Sequence, residues 1–83
     1  MYSYYPNPAD GELIISYDTG KKTKKDFEVK LLDSKGRVLS QGKNNSDDNK
    51  IHIDTRNIVE GTYFLHISEG KNLIKKQIII KHD

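Results

Sequence analysis

The chain has 83 residues, with 14 basic against 12 acidic side chains and neither cysteine nor tryptophan. So short a chain buries about 60–65% of its unfolded surface, which predicts one domain over 1–83 with a thin core of two layers. A net charge of +2, without a basic helix or a stripe of basic and aromatic residues, argues against a nucleic-acid partner, and no apolar run approaches the roughly 20 residues of a membrane helix.

From the N-terminus, no basic segment leads into an apolar one, so a conventional secretion signal is not expected within these residues. A strand is expected over 2–6, followed by Tyr5–Gly11, "YPNPADG", which holds both prolines of the chain. Each proline fixes φ, lacks a donor and pushes its predecessor towards extended geometry, so this stretch reads as a short extended segment ending in an Asp-Gly turn. Leu13, Ile15 and Tyr17 then alternate with polar neighbours, predicting a strand over 12–18 with Ile14 breaking the polar phase. Lys21-Lys22-Thr23-Lys24-Lys25 is the one cluster of charge, read as a solvated hairpin loop or, more sharply, a dock for an anionic partner.

Phe27, Val29 and Leu31 alternate in a strand predicted over 26–32, and Asp33-Ser34-Lys35-Gly36 is a turn whose glycine needs positive φ. A strand over 37–43 precedes the polar run Asn44–Asn49, read as a solvated hairpin tip. Ile51 and Ile53 mark a strand over 50–54. The loop Asp54–Glu60 has room for a single helical turn with Ile58 plugging the core. Tyr63, Leu65 and Ile67 point inward from a strand over 61–68, and Glu69–Asn72 is a turn. The last strand, 72–81, is apolar on both faces at Ile78, Ile79 and Ile80, as in a strand buried twice or an edge that another chain covers. Seven strands at this spacing predict an all-β, seven-stranded antiparallel β-sandwich, immunoglobulin-like in its connections.

Chemistry is sparse. His52 and His66 fall on outward phases and His82 in a tail expected to fray, without metal-ligand spacing, so no metal or cofactor is expected. Asp47-Asp48-Asn49 lacks the calcium-loop pattern, Asn44-Asn45-Ser46 is a bare glycosylation triplet, and no nucleophile has a base beside it in the pattern, so no enzyme is expected. Ile14, Leu32, Phe64 and Ile79 form a second apolar set on outward phases, a patch if Leu32, Phe64 and Ile79 share a sheet.

Four stretches, "YPNPADGELII", "VKLLDSKGRVL", "IHIDTRNIVEGTYFLHI" and "KKQIIIK", resemble in order the type A C-terminal sorting domain of the type IX secretion system of Bacteroidetes. That family opens on Tyr/Phe-Pro-Asn-Pro, continues through an Asp-x-x-Gly-Arg/Lys turn and a Gly-x-Tyr strand, and closes on a strand rich in Lys and Ile. The resemblance implies a non-enzymatic sorting signal, fused behind a larger cargo that an ordinary signal peptide brings to the periplasm. It further implies recognition by the translocon and an outer-membrane shuttle protein. In that family a sortase-like protease commonly cleaves upstream of the domain and links the cargo to an anionic lipopolysaccharide at the cell surface. Pro6, Asn7 and Pro8 match the opening motif. Gly61, Tyr63, Lys75, Lys76, Ile78, Ile79, Ile80 and Lys81 match the closing ones, although His82 and Asp83 extend beyond the Lys-terminated pattern. The two-sided last strand also allows an edge-paired or strand-exchanged homodimer. The alternative is a small adhesion or carbohydrate-binding sandwich, for which Tyr2, Tyr4 and Tyr5 would have to supply an aromatic platform.

Overall fold

The structure, a computed structural model, describes residues 2–18, 24–44 and 48–83. Seven strands follow one another: β1 (Tyr2–Tyr5), β2 (Glu12–Tyr17), β3 (Glu28–Leu32), β4 (Val38–Lys43), β5 (Lys50–Asp54), β6 (Gly61–Glu69) and β7 (Asn72–Ile80). They form two antiparallel sheets, β1-β2-β5 and β4-β3-β6-β7, the sandwich that the period-two pattern predicts. Among the described residues there is no helix. The loop after β5 makes one turn, in which the Ile58 N–H donates to the Thr55 carbonyl at 3.1 Å, and Ile58 packs against the core.

The core is one layer of alternate side chains from each sheet. Leu13, Ile15, Ile51 and Ile53 from one sheet face Val29, Leu31, Leu65, Ile67, Ile78 and Ile80 from the other, with Phe27 and Ala9 closing the ends. Burying each of the larger side chains stabilises the fold by about 1.5–3 kcal/mol. No aromatic bulk sits at the centre, so aliphatic residues fill the space and tyrosines seal the rim.

Two glycines show how the sequence shapes the connections. Gly36 adopts φ +83° in the β3–β4 turn, where Asp33 accepts the Lys35 and Arg37 N–H groups at 2.9 Å each and the Arg37 guanidinium at 2.7 Å. Those bonds, the Arg37 amide first, hold the Asp33 carboxyl below its ordinary pKa. Gly42 serves a close approach instead, since a Cβ there would stand 2.9 Å from Ile51 Cγ2, where β4 meets β5 across the two sheets.

The Asn44–Asn49 run is not simply solvated. Asn44 and Asn49 are both buried. The Asn44 amide donates to the Lys25 carbonyl at 2.6 Å and to Asn49 Oδ1 at 3.1 Å, and the same oxygen accepts the Lys25 N–H at 2.7 Å. These bonds satisfy the backbone where the chain enters β3, and they take Asn44 out of reach as a glycan acceptor. Residues 45–47 and the lysine-rich stretch 21–23 lie outside the described residues.

Candidate functional site

The register gathers the motif residues at one end of the sandwich. β1 leaves the three-stranded sheet at Tyr5, and the chain crosses through Pro6-Asn7-Pro8 to the other sheet, where Ala9 bridges in parallel to Ile80. A proline ring cannot donate to a ladder, so the crossing runs through residues that no sheet could have used fully. On arrival the Ala9 N–H donates to the Ile79 carbonyl and the Lys81 N–H to the Ala9 carbonyl, both at 2.8 Å, while Asn7 Oδ1 accepts the Ile79 N–H at 3.0 Å. The opening motif therefore closes the outer edge of β7 at 79–81.

The other motifs join the same end. Gly61 is registered with Ile80, and Tyr63 with Ile78. Tyr63 is half-buried against the core, and its hydroxyl donates to the Val59 carbonyl, fixing the corner by which the chain enters β6. Thr55, fully buried, donates its hydroxyl to the Asp10 carbonyl at 2.7 Å and its N–H to the Gly11 carbonyl at 3.1 Å. Beside Tyr63, the β3–β4 turn and the 54–59 loop enclose an open groove of about 820 Å³, with Asp33, Arg37, Asp54 and Asn57 on its walls. The Arg56 guanidinium grips Asp54 at 2.8 Å and lowers its pKa to about 2.

One residue outside the four motif stretches completes this end. His82 does not fray: its N–H donates to Glu60 Oε1, and its ring nitrogens meet Asp10 Oδ1 and the Ile58 carbonyl, each at 2.7 Å. A carboxylate and a carbonyl both only accept, so the ring that satisfies them carries both protons. The bond to Asp10, then that to Ile58, raises the His82 pKa, and the same contact lowers that of Asp10. An i-to-i+2 pattern does not reveal this latch, because Asp10 comes from the β1–β2 connection and Ile58 and Glu60 from the loop after β5.

Lys75 and Lys76 stand apart from this end, further back along β7. Lys76 shares the inward phase of Ile74 and Ile78 and is registered with buried Leu65, yet it is exposed. Lys75 lies on the outer face opposite His66. β7 is thus an edge whose end is covered by its own chain, and Ile79, 45% exposed, is not a doubly buried residue. Leu32 and Phe64 are direct partners on β3 and β6, with Val38 beside Leu32 and Ile79 diagonal to Phe64, so Leu32, Phe64 and Ile79 do share one sheet, while Ile14 lies on the other.

The tyrosines at the N-terminus do not make a platform. Tyr2 and Tyr4 turn inward onto the core, with the Tyr2 ring 4.5 Å from that of Tyr17 and 5.2 Å from that of Phe27, while Tyr5 faces outward. The Tyr2 hydroxyl donates to Glu69 Oε2 at 2.7 Å, and Glu69 also pairs with Lys25.

A thin antiparallel sandwich whose motif side chains converge on one end and one strand edge has the plan of a recognition domain. The chain belongs to the secretion system C-terminal sorting domain family, the sorting domains of type IX secretion, whose sequence model matches residues 3–81. No curated protein matches the chain. It is accordingly a sorting-signal domain, from a family that is not catalytic, that works with the type IX machinery and marks secreted or cell-surface proteins.

Proposed function

We propose that residues 1–83 act as one folded export signal, read by the translocon and an outer-membrane shuttle at the end where the opening and closing motifs meet. The reading surface comprises Pro6, Asn7, Pro8, Gly61, Ile79 and Lys81, with Tyr63, Ile78 and Ile80 holding it from beneath. The cargo precedes the domain, reaches the periplasm first, and is released upstream of the domain by a sortase-like protease once outside. The observation that carries this reading is the bonding of Asn7 and Ala9 to Ile79 and Lys81, which makes two sequence-distant motifs one surface. Docking of a folded surface needs no chemistry from the domain, in keeping with its sparse reactive groups.

Fusing residues 1–83 to a periplasmic reporter in a type IX-competent host tests it. The reporter is expected at the cell surface or in the medium, and removing residues 76–83 is expected to keep it in the periplasm. A stable fusion that stays periplasmic, or a truncation that is exported normally, overturns the proposal.

A further inference from the structure

The outer face of the four-stranded sheet carries a row of bases. Lys30 on β3 is registered with His66 on β6, and His66 with Lys75 on β7, so the row crosses three strands and ends at the sheet edge. Lys30 and Lys75 thus flank His66 on the same face. Several cations elsewhere in the molecule meet carboxylates, as in Lys25–Glu69, Arg37–Asp33, Lys43–Glu28 and Arg56–Asp54, while the exposed Lys35, Lys71 and Lys81 meet none among the described residues. Among the described residues, neither Lys30 nor Lys75 nor the adjacent Lys76 has such a partner.

The backbone beside this row is also open. In an antiparallel edge strand, alternate residues turn both N–H and C=O towards the neighbour or away from it. Ile79 turns both away from β6, towards Asn7 and Ala9, so Gln77, Lys75 and Leu73 present theirs on the same side. The covering segment reaches only the end of the strand, which leaves three donors and three acceptors without a ladder partner. Leu73, 52% exposed, adds an apolar side chain at the far end.

We infer that the 73–77 edge of β7 accepts an extended acidic segment of a partner protein as a fifth strand, with two adjacent carboxylates opposite Lys75 and Lys76. Main-chain bonds to Leu73, Lys75 and Gln77 supply the affinity and the lysines supply the choice of partner. A lysine at an edge also serves to keep strands apart. That role needs one charge at the edge, whereas two adjacent lysines beside an open backbone offer a pair of carboxylates both partners and a ladder. A second copy of the chain is a poor occupant, since pairing in full register sets Lys75 against Lys75. The inference names the kind of partner within the sorting reading and rests on it.

The test uses the purified full chain and a fluorescent octapeptide of alternating valine and threonine with two adjacent glutamates at its centre. Saturable binding is expected at low salt, with amide shifts confined to Leu73, Lys75, Gln77 and their neighbours, and weaker binding as salt rises. The double variant Lys75→Glu/Lys76→Glu should bind roughly tenfold more weakly and recover affinity for a peptide with lysines in place of the glutamates. N-methylating the peptide amides that face β7 should abolish binding while leaving the charge intact. Binding indifferent to the charge reversal, or equal binding of the N-methylated peptide, overturns the inference. So does attachment to anionic vesicles, lost in the double variant, without peptide binding, which would make the row a lipid-facing patch. Because binding is read on the isolated chain, it can fail while reporter export succeeds, and the sorting reading then stands without it.

Discussion

The two halves of β7 are built from one run of sequence and have opposite fates. At 79–81 the outer edge is closed by Asn7 and Ala9, the inward side chains Ile78 and Ile80 are buried, and the chain is fastened beyond by His82. At 73–77 the same strand is bonded on one side only, and the inward phase carries exposed Lys76. What separates them is cover at the strand edge: the crossing segment reaches one half and stops short of the other. An edge strand can thus be anchored and available at once, provided that the two properties occupy different residues.

The sharpest way to break the anchored half is Ile78→Ala, which leaves a cavity under Tyr63. It should cost about 2–5 kcal/mol in chemical denaturation, while Ile79→Ala, one position on but exposed, stays within about 0.5 kcal/mol. Equal losses at the two positions would mean that the cover, rather than the core, carries the strand. A milder intervention, Asn7→Ala, removes the acceptor for the Ile79 N–H. A cost of about 0.5–1.5 kcal/mol is expected. Hydrogen exchange should quicken at Ile79 and remain unchanged at Ile74, whose N–H faces β6.

The smallest effect is one of pH. His82 has a raised pKa, so its stabilising contribution is full below its ordinary 6.5 and is lost as pH rises through the higher folded value. Asp10 has a lowered one, so its contribution is full above 3.8 and is lost as pH falls through the lower folded value. The tail is therefore held best between those two ordinary values, with Glu60 adding an acceptor for the His82 N–H. An NMR titration should place the His82 ring above 6.5, and His82→Ala should flatten the alkaline limb of stability while sparing the open half of β7. A ring that titrates at or below 6.5 would sink this account of the latch.

Much of this was legible from local pattern. Alternation at Leu13–Tyr17, Phe27–Leu31 and Tyr63–Ile67 marks both the strands and their buried faces, because the pleat period is two wherever one face is wet. The Asp33–Gly36 turn is legible for the same local reason. What was not legible depends on chain segments far apart in sequence. Lys76 has the phase of a core residue and is exposed, which strand pattern alone does not show. His82 looks like tail, since its partners lie in loops up to 72 positions away. The candidate surface divides in the same way: its strands could be read, but the joining of Asn7 to Ile79 required the fold.

That joining has a kinetic side. Asn7 and Ile79 are 72 positions apart, so their contact closes a loop of nearly the whole chain. Loop-closure entropy disfavours such a contact until shorter-range pairings have brought the ends together, so it belongs late in folding. The hydrogen bonds at 79–81 consequently report on every strand between them. A partially folded chain can display either motif, but only a finished one displays both side by side.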